Sequence, residues 1–274
     1  MKKIVTLILT LTIATSFAQS KRLAEKYFNN FDYLKSAELY EKIPDKENEL
    51  RVYKYFVKLY PRPVEESLEI SMKISKIYQS KNDHNNYIKT LKSIVKREGS
   101  AGKGRNDRTR YLAGTASLSL VEPLFDQFVA LKLVKPFNKN LKKKKKKMKA
   151  NIKKYNHLVD YGVGDVTAAA TYYIAETYYN FSRSLMVSER PTKLSELELD
   201  QYNEILEEQA YPFEEKGINI HKKNIELLSV GVYSQWIDKS LKKLGELVPG
   251  RYAKYEVSTG VLSSLLQYKY LMLE

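Results

Sequence analysis

The sequence predicts an all-α protein in which helical hairpins stack into an array. Its central segment, residues 168–186, is rich in alanine and tyrosine and places apolar residues at helical spacing on two sides. A helix that is apolar on two sides must be covered by neighbouring helices on both. The other apolar stretches also recur at helical spacing and are separated by proline, glycine and asparagine. Such arrays usually bind partners rather than catalyse reactions, so we expect a binding protein.

The N-terminus has the pattern of a secretory signal peptide. Two lysines precede the apolar run Ile4–Ile13, and the small residues Ser16 and Ala18 suit a cleavage site. The run is about half as long as a bilayer-spanning helix, which favours cleavage over an uncleaved membrane anchor. Because the chain has no cysteine, disulfides and the lipid anchor of bacterial lipoproteins are excluded. We expect residues 1–18 to be removed, leaving a periplasmic protein without a transmembrane segment.

The composition is strongly basic. The 274 residues carry a formal net charge of +15, and 43% of them are hydrophobic, which is enough for a core. A basic surface favours an anionic partner such as an acidic protein or an envelope polymer, lipopolysaccharide or peptidoglycan. Nucleic acid is disfavoured as a partner, because charge alone is a weak signal and the signal peptide directs the chain out of the cytoplasm.

The N-terminal part predicts two helical hairpins. A small residue precedes an aromatic residue by three positions at Ala24 and Tyr27 and again at Ser75 and Tyr78, and a turn follows each pair. These segments resemble the tetratricopeptide repeat, a hairpin of about 34 residues whose small residues let two helices approach. The resemblance implies an irregular solenoid of hairpins that winds as a right-handed α-superhelix. Phe31 stands where the turn of such a repeat usually has glycine.

The next segment combines a polar loop with a helix. The loop Gly99–Arg110 fails the pattern of a phosphate-binding loop, because no lysine follows Gly104. We expect Asn106 or Asp107 to cap the following helix, and we expect Pro123 to kink or divide it.

A run of six lysines is the most conspicuous feature of the composition. Apolar residues recur at helical spacing through this segment, so we interpret the lysines as the solvated flank of a helix with a buried stripe. The alternative is an anion-binding site. Asp165 is placed to cap the helix that follows. The run consists of Lys142, Lys143, Lys144, Lys145, Lys146 and Lys147, and the stripe of Leu141, Met148, Ile152, Tyr155 and Val159.

The C-terminal part predicts a long antiparallel hairpin. In a helix that starts near Ser195, apolar residues continue to recur at seven-residue spacing across Pro212. We therefore expect one kinked helix packed against residues 168–186. Another helix carries Trp236 and ends before Pro249. The periodic apolar residues are Ile205, Leu206, Phe213, Ile220 and Leu227. The later helix also carries Ile237, Leu241, Leu244 and Leu247.

The region from about Leu91 to Glu256 carries several unusual strings, including SERP at Ser188–Pro191, EEQAYPFEEK at Glu207–Lys216 and VPGRYAKYE at Val248–Glu256. In these strings it resembles a family of exported bacterial tetratricopeptide-repeat proteins. The resemblance implies association with envelope machines of the TonB/ExbB/ExbD type or with surface motility apparatus. It implies a scaffold for protein–protein interactions.

The sequence shows no convincing catalytic or metal-binding motif. Adjacent glutamates at 207–208 and 214–215 are expected to be solvated, although glycan hydrolysis on a helical scaffold would use Glu208 or Glu215. The histidines His84, His157 and His221 have no metal-ligand spacing. We therefore expect no enzyme, no cofactor and no metal site.

Tyrosine is abundant, with 22 residues. Most should fill the grooves between helices, whereas some are expected to line a concave binding face together with neighbouring lysines. The residues predicted for this face are Tyr27, Tyr78, Tyr172 and Tyr178.

The chain thus divides into a signal peptide, 1–18; N-terminal hairpins, 19–98; a helical middle, 99–164; a long hairpin region, 165–256; and an apolar tail, 257–274. The tail is expected to be helical and either to cap the array or to bind a partner there. Two functions remain open: a scaffold for envelope proteins, and a cationic binder of an anionic envelope polymer.

Overall fold

The computed structural model describes residues 17–43 and 45–253, and every regular element in these ranges is helical. The all-α prediction is confirmed. The signal peptide up to residue 16 and the tail 257–274 lie outside the described residues. The helices are α1 (residues 17–29), α2 (Tyr33–Glu41), α3 (Lys46–Leu59), α4 (Val64–Ser80), α5 (His84–Gly99), α6 (Asp107–Val121), α7 (Pro123–Val129), α8 (Phe137–Val159), α9 (Gly164–Met186), α10 (Glu196–Glu226), α11 (Gln235–Leu247) and α12 (Pro249–Tyr252).

The two N-terminal hairpins are confirmed, and their turns share one geometry. Phe31 has φ 63° and Asn82 has φ 57°, so a left-handed residue ends the first helix of each hairpin. The next residue, Asp32 or Asp83, donates its backbone N–H over 2.9 Å to the carbonyl of Tyr27 or Tyr78, respectively. Each aspartate also caps the second helix by accepting a backbone N–H three residues later.

Consecutive helices pack against each other along the chain. The buried apolar residues form overlapping clusters: one joins α1 to α4, the next joins α4 to α6, and two more join α6 to α11. Packing continues across the predicted boundary at residue 98, because Leu68 and Ile94 contact the cluster that contains Leu112. A succession of neighbouring cores is what a stacked helical array requires.

The long C-terminal hairpin is confirmed. Helix α9 lies between α8 on one side and α10 and α11 on the other, as its two apolar sides predict. Phe181 of α9 stacks edge-on against Phe213 of α10, with ring centroids 4.6 Å apart, while Glu176 reaches His221. The two helices are therefore antiparallel. Helix α10 continues unbroken through Pro212 and begins at the cap Ser195, whereas Pro123 divides α6 from α7.

Some predicted face assignments are wrong. Ile205 has 56% of its surface exposed, and Val159 and Leu241 are also exposed. In α10 the predicted Leu206 is buried, and the other buried positions are Ala210, Gly217, His221 and Asn224, a small or polar set. The helix therefore meets α9 closely: a Cβ on Gly217 would lie 3.1 Å from the carbonyl oxygen of Ala175.

The predicted cap of α9 is also wrong. Val163 holds the N-cap position without a side-chain hydrogen bond, and Asp165 lies inside the first turn. Its carboxylate accepts a hydrogen bond from the Ser234 hydroxyl, which fixes the loop before α11 to the start of α9. Within residues 17–43 and 45–253, none of the helices combines the length and apolar character that crossing a membrane requires.

Candidate functional site

A basic groove runs between α3 and α5, with α4 as its floor, and encloses about 370 Å³. Its walls carry Lys54 and Lys58 from α3 and Lys89 and Arg97 from α5, together with hydroxyl and amide side chains. None of the residues that line it is acidic. Cationic groups above polar hydrogen-bonding groups suit an anionic, extended ligand.

Local structure positions these cations. The side chain of Asp83 caps the N-terminus of α5. Lys89, Ser93 and Arg97 follow at helical spacing, so they lie on one face of α5, and this face lines the groove. The Arg97 guanidinium donates a hydrogen bond to the Ser67 hydroxyl, so this cation is held against α4 rather than free in solvent. The groove is thus partly preorganised.

The four predicted tyrosines do not line one common cavity. Tyr78 is buried and lies in the basic groove, and Tyr178 lines a second groove described below. Tyr172 packs in the core against Trp236 and His221, where burial raises its pKa to about 12. Tyr27, in α1, is half-buried.

Each of these rings nevertheless has a lysine ammonium nearby. The distances to the ring centroids are 5.6 Å for Lys35 and Tyr27, 5.3 Å for Lys54 and Tyr78, 5.9 Å for Lys239 and Tyr172, and 4.6 Å for Lys216 and Tyr178. Cation–π contacts of this kind hold lysine heads beside aromatic surface.

The lysine run lies in α8 and is not uniformly solvated, which corrects the sequence prediction. Lys142, Lys143, Lys145 and Lys146 are exposed, but Lys144 retains only 1% of its surface. Lys144 is buried because the stripe of α8 residues that packs against the neighbouring helices includes position 144. The buried residues of α8 recur at spacings of three and four, and Lys144 occupies one of those positions; they are Lys144, Met148, Asn151, Tyr155 and Leu158.

The Lys144 side chain hydrogen-bonds to backbone carbonyls at the C-terminal end of α7. Its ammonium donates to the backbone carbonyls of Leu131 at 2.8 Å and Phe128 at 3.3 Å, and it lies 4.5 Å from the centre of the Phe128 ring. Phe128 lies in the last turn of α7 and Leu131 follows it, and a cation interacts favourably with the carbonyl end of a helix. Within the described part of the chain, no carboxylate forms an ion pair with Lys144. Burial therefore lowers the pKa of this lysine to about 8.

A buried polar network joins α9, α10 and α11, and its members are too far apart in sequence to be predicted from spacing. His221 contacts Ser240 Oγ through Nδ1 at 3.1 Å and Glu176 Oε1 through Nε2 at 3.2 Å. The Asn224 amide donates to Ser240 Oγ at 2.8 Å. The arrangement superficially resembles a serine–histidine–acid triad. Ser240 and His221 are both fully buried, so the hydroxyl is not presented to a substrate and the network is a structural one.

The glutamates of α10 are divided between two surfaces. Glu207, Glu214 and Glu215 line a cavity of about 280 Å³ beside Arg183, whereas Glu208 is exposed outside that lining. In residues 17–43 and 45–253, no group of three or more acidic, histidine or cysteine side chains is arranged to hold a metal ion.

Comparison of the chain with protein-family models, with curated proteins and with solved structures found no match in any of the three.

Proposed function

We propose that the protein is a non-enzymatic, exported scaffold of the tetratricopeptide-repeat type. In this proposal it acts in the periplasm and joins components of an envelope complex, such as a TonB/ExbB/ExbD-like or motility assembly. The basic groove between α3 and α5 binds an acidic, extended segment of the partner protein. The observation that carries the proposal is the lining of this groove, which has four cationic side chains and no carboxylate.

The repeated turn geometry supports the scaffold class. Two hairpins end their first helices at a left-handed residue and start their second helices at an aspartate cap. The chain thus uses one hairpin design twice, at positions 31–32 and 82–83. Repetition of a hairpin and overlapping neighbouring cores are the features that make solenoids suitable as extended binding surfaces.

An acidic peptide fits the groove better than a nonpolar one. Lys54, Lys58 and Lys89 can pair with carboxylates, while Ser71 and Asn86 can hydrogen-bond to a peptide backbone. Electrostatic attraction of this kind raises the rate of association and selects the partner. Binding should therefore weaken as the salt concentration increases.

The first test is site-specific photocrosslinking in cells. A photoreactive amino acid at Ser93, inside the groove, should capture a defined envelope protein, whereas the same amino acid at Lys76, on the opposite face of α4, should not. Mass spectrometry identifies the captured protein. Equal capture at both positions, or none at Ser93, would contradict binding in the groove.

Charge reversal provides a matched second test. The double variant Lys58→Glu and Lys89→Glu should reduce the Ser93 crosslink by about tenfold. The control Lys76→Glu and Lys92→Glu changes the net charge equally but lies outside the groove lining. Loss of crosslinking in both variants would show a general charge effect instead of a site.

The second candidate function is binding of an anionic envelope polymer. It is favoured by the exposed lysines of α8, which form a dense positive surface. In that case sedimentation with peptidoglycan or lipopolysaccharide should fall steeply with salt, and should be lost when Lys142, Lys143, Lys145 and Lys146 are changed to glutamine. Unchanged sedimentation of that variant would exclude the lysine surface as the polymer site.

A further inference from the structure

A second groove lies between α8 and α10 and differs from the basic groove in having an apolar interior. It encloses about 520 Å³, a volume typical of sites for small molecules. Helices α8 and α10 both pack on α9, and Tyr178 of α9 lies between them in the groove lining. Met148 and Ile152 of α8 and Phe213 of α10 provide apolar surface. We refer to this site as the α8–α10 groove.

The rim of the α8–α10 groove is cationic. Lys149 and Lys153 lie one turn apart on α8, and Lys216 faces them from α10 with its ammonium 4.6 Å from the centre of the Tyr178 ring. None of the residues lining the groove is acidic. Like charges one turn apart on a helix repel each other, so an anion bound between them would relieve that repulsion.

We propose that the α8–α10 groove binds a single-chain amphipathic anion, an acyl chain that carries a carboxylate or phosphate head. The acyl chain would lie on Met148, Ile152 and Phe213, and the head would lie between Lys153 and Lys216. The residues of α8 that line the groove span positions 148–157, which corresponds to about 13 Å of helix. A groove of this length accepts one medium-length chain lying along it.

The site is independent of the proposed partner groove. It involves α8, α9 and α10 rather than α3, α4 and α5, and none of the lysines of its rim lines the basic groove. A negative result for one groove therefore does not contradict binding in the other groove.

Ligand binding can be tested with the purified protein by native mass spectrometry and titration calorimetry. Dodecanoate and dodecyl phosphate are the probes, and they distinguish a fatty acid from a phosphate-headed lipid. We expect one molecule per chain, with octanoate binding at least about tenfold more weakly because each methylene removed from water contributes to affinity. The neutral dodecyl maltoside should bind much more weakly. Equal binding of the neutral amphiphile, or no binding of either anion, would overturn the proposal.

Variants locate the site. Lys153→Glu with Lys216→Glu should weaken dodecanoate binding by at least about tenfold, because two attractive charges become repulsive. The control pair Lys154→Glu and Lys242→Glu has the same net charge but exposed positions outside the lining. Asn156→Trp, an exposed position in the groove wall, should block the chain sterically. Unchanged binding in both groove variants, with unfolding temperatures equal to that of the control, would contradict the assigned site.

Discussion

Lys144 carries its ammonium group into the protein interior, where two backbone carbonyls and the face of Phe128 replace water. Burial disfavours the charged form of a lysine, which is why its pKa falls from 10.5 to about 8. The hydrogen bonds to the end of α7 offset part of that penalty. This residue therefore links the lysine-rich helix to the end of α7 and the loop that follows it.

We predict that Lys144 makes stability depend on pH. Below pH 8 it is charged in both the folded and unfolded states, so the burial penalty is fully present. Between about pH 8 and 10.5 the folded state loses this proton before the unfolded state does. The free energy of unfolding should therefore rise across that window, by up to about 3 kcal/mol.

Denaturant unfolding at pH 7 and pH 9.5 would measure this effect. The variant Lys144→Met should lack the rise that the unmodified protein shows, because methionine keeps much of the length without a titratable group. Lys145→Met, at the neighbouring exposed position, is the control and should retain it. The same pH dependence in Lys144→Met and in the unmodified protein would show that other groups cause it.

Phe31 offers a second residue-level prediction. A bulky residue at φ 63° is strained, by about 1 kcal/mol or more, whereas glycine adopts this conformation freely. The side chain is 70% exposed, so little packing is lost on its removal. Phe31→Gly should raise the free energy of unfolding by about 0.5–1 kcal/mol, after the greater entropy of unfolded glycine is subtracted.

The matched change Asn82→Gly lies at the equivalent turn and tests the physical reason. Asparagine tolerates the left-handed conformation better than phenylalanine, so this change should have a smaller effect. Thermal and denaturant unfolding of the two variants would measure both changes in the free energy of unfolding and show which is larger. A destabilised Phe31→Gly would mean that contacts of the phenylalanine ring outweigh the backbone strain.

At the scale of elements, the contact between α9 and α10 combines apolar packing of Phe181 on Phe213 with a close approach at small residues. Gly217 faces the backbone of Ala175 and Tyr179, and Ala210 is buried nearer the start of α10. Farther along, His221 bonds to Glu176 and Ser240 and thereby connects α10 to both neighbours. Close approach and a hydrogen-bonded network fix the register of α9 and α10.

We predict that Gly217→Val separates these helices. An added side chain would meet the Ala175 carbonyl oxygen and the Tyr179 backbone at 3.1–3.3 Å before its branches are counted. The expected loss is about 2 kcal/mol of unfolding free energy, typical of an overpacked contact. Gly99→Val is the control, because a Cβ there would meet no atom within 4 Å. Equal losses in the two variants would show that the close contact with α9 does not determine the effect.

At the scale of the whole molecule, neighbouring clusters of buried residues follow one another along the chain instead of forming one central core. The first contains Tyr40, Tyr53 and Phe56, and a separate one farther along the chain contains Phe128 and Phe181. In structures whose repeats contact only their neighbours, stability is a sum of local terms and segments can open separately.

We therefore predict that damage to one cluster stays local. Tyr53→Ala removes a fully buried ring and its hydrogen bond to Glu41, and should speed amide exchange in α1–α4 while α8–α11 keep their protection. Phe181→Ala should do the reverse. Hydrogen exchange measured by mass spectrometry resolves both regions. Uniform loss of protection in either variant would show that the whole chain unfolds as one cooperative unit.

Helix ends follow from the local sequence more directly than helix faces do. Helix ends can be read from local residues because caps and breakers act over a few positions. Asp83 and Ser195 bond to backbone groups three residues away, and Pro123 lacks the N–H that a helix interior needs. The alanine-rich pattern of residues 168–186 likewise determined that α9 would be covered on two sides.

Which faces are buried and which side chains meet depends instead on how the helices pack against one another. The long helices α8 and α10 offer several plausible stripes, and the position of a neighbouring helix selects one of them, which places Lys144 inside and Ile205 outside. The network around His221 and the α8–α10 groove both combine residues from separate helices. Their spacing in the sequence carries no signal, because contact between distant segments depends on how helices approach one another and not on the local pattern of either one.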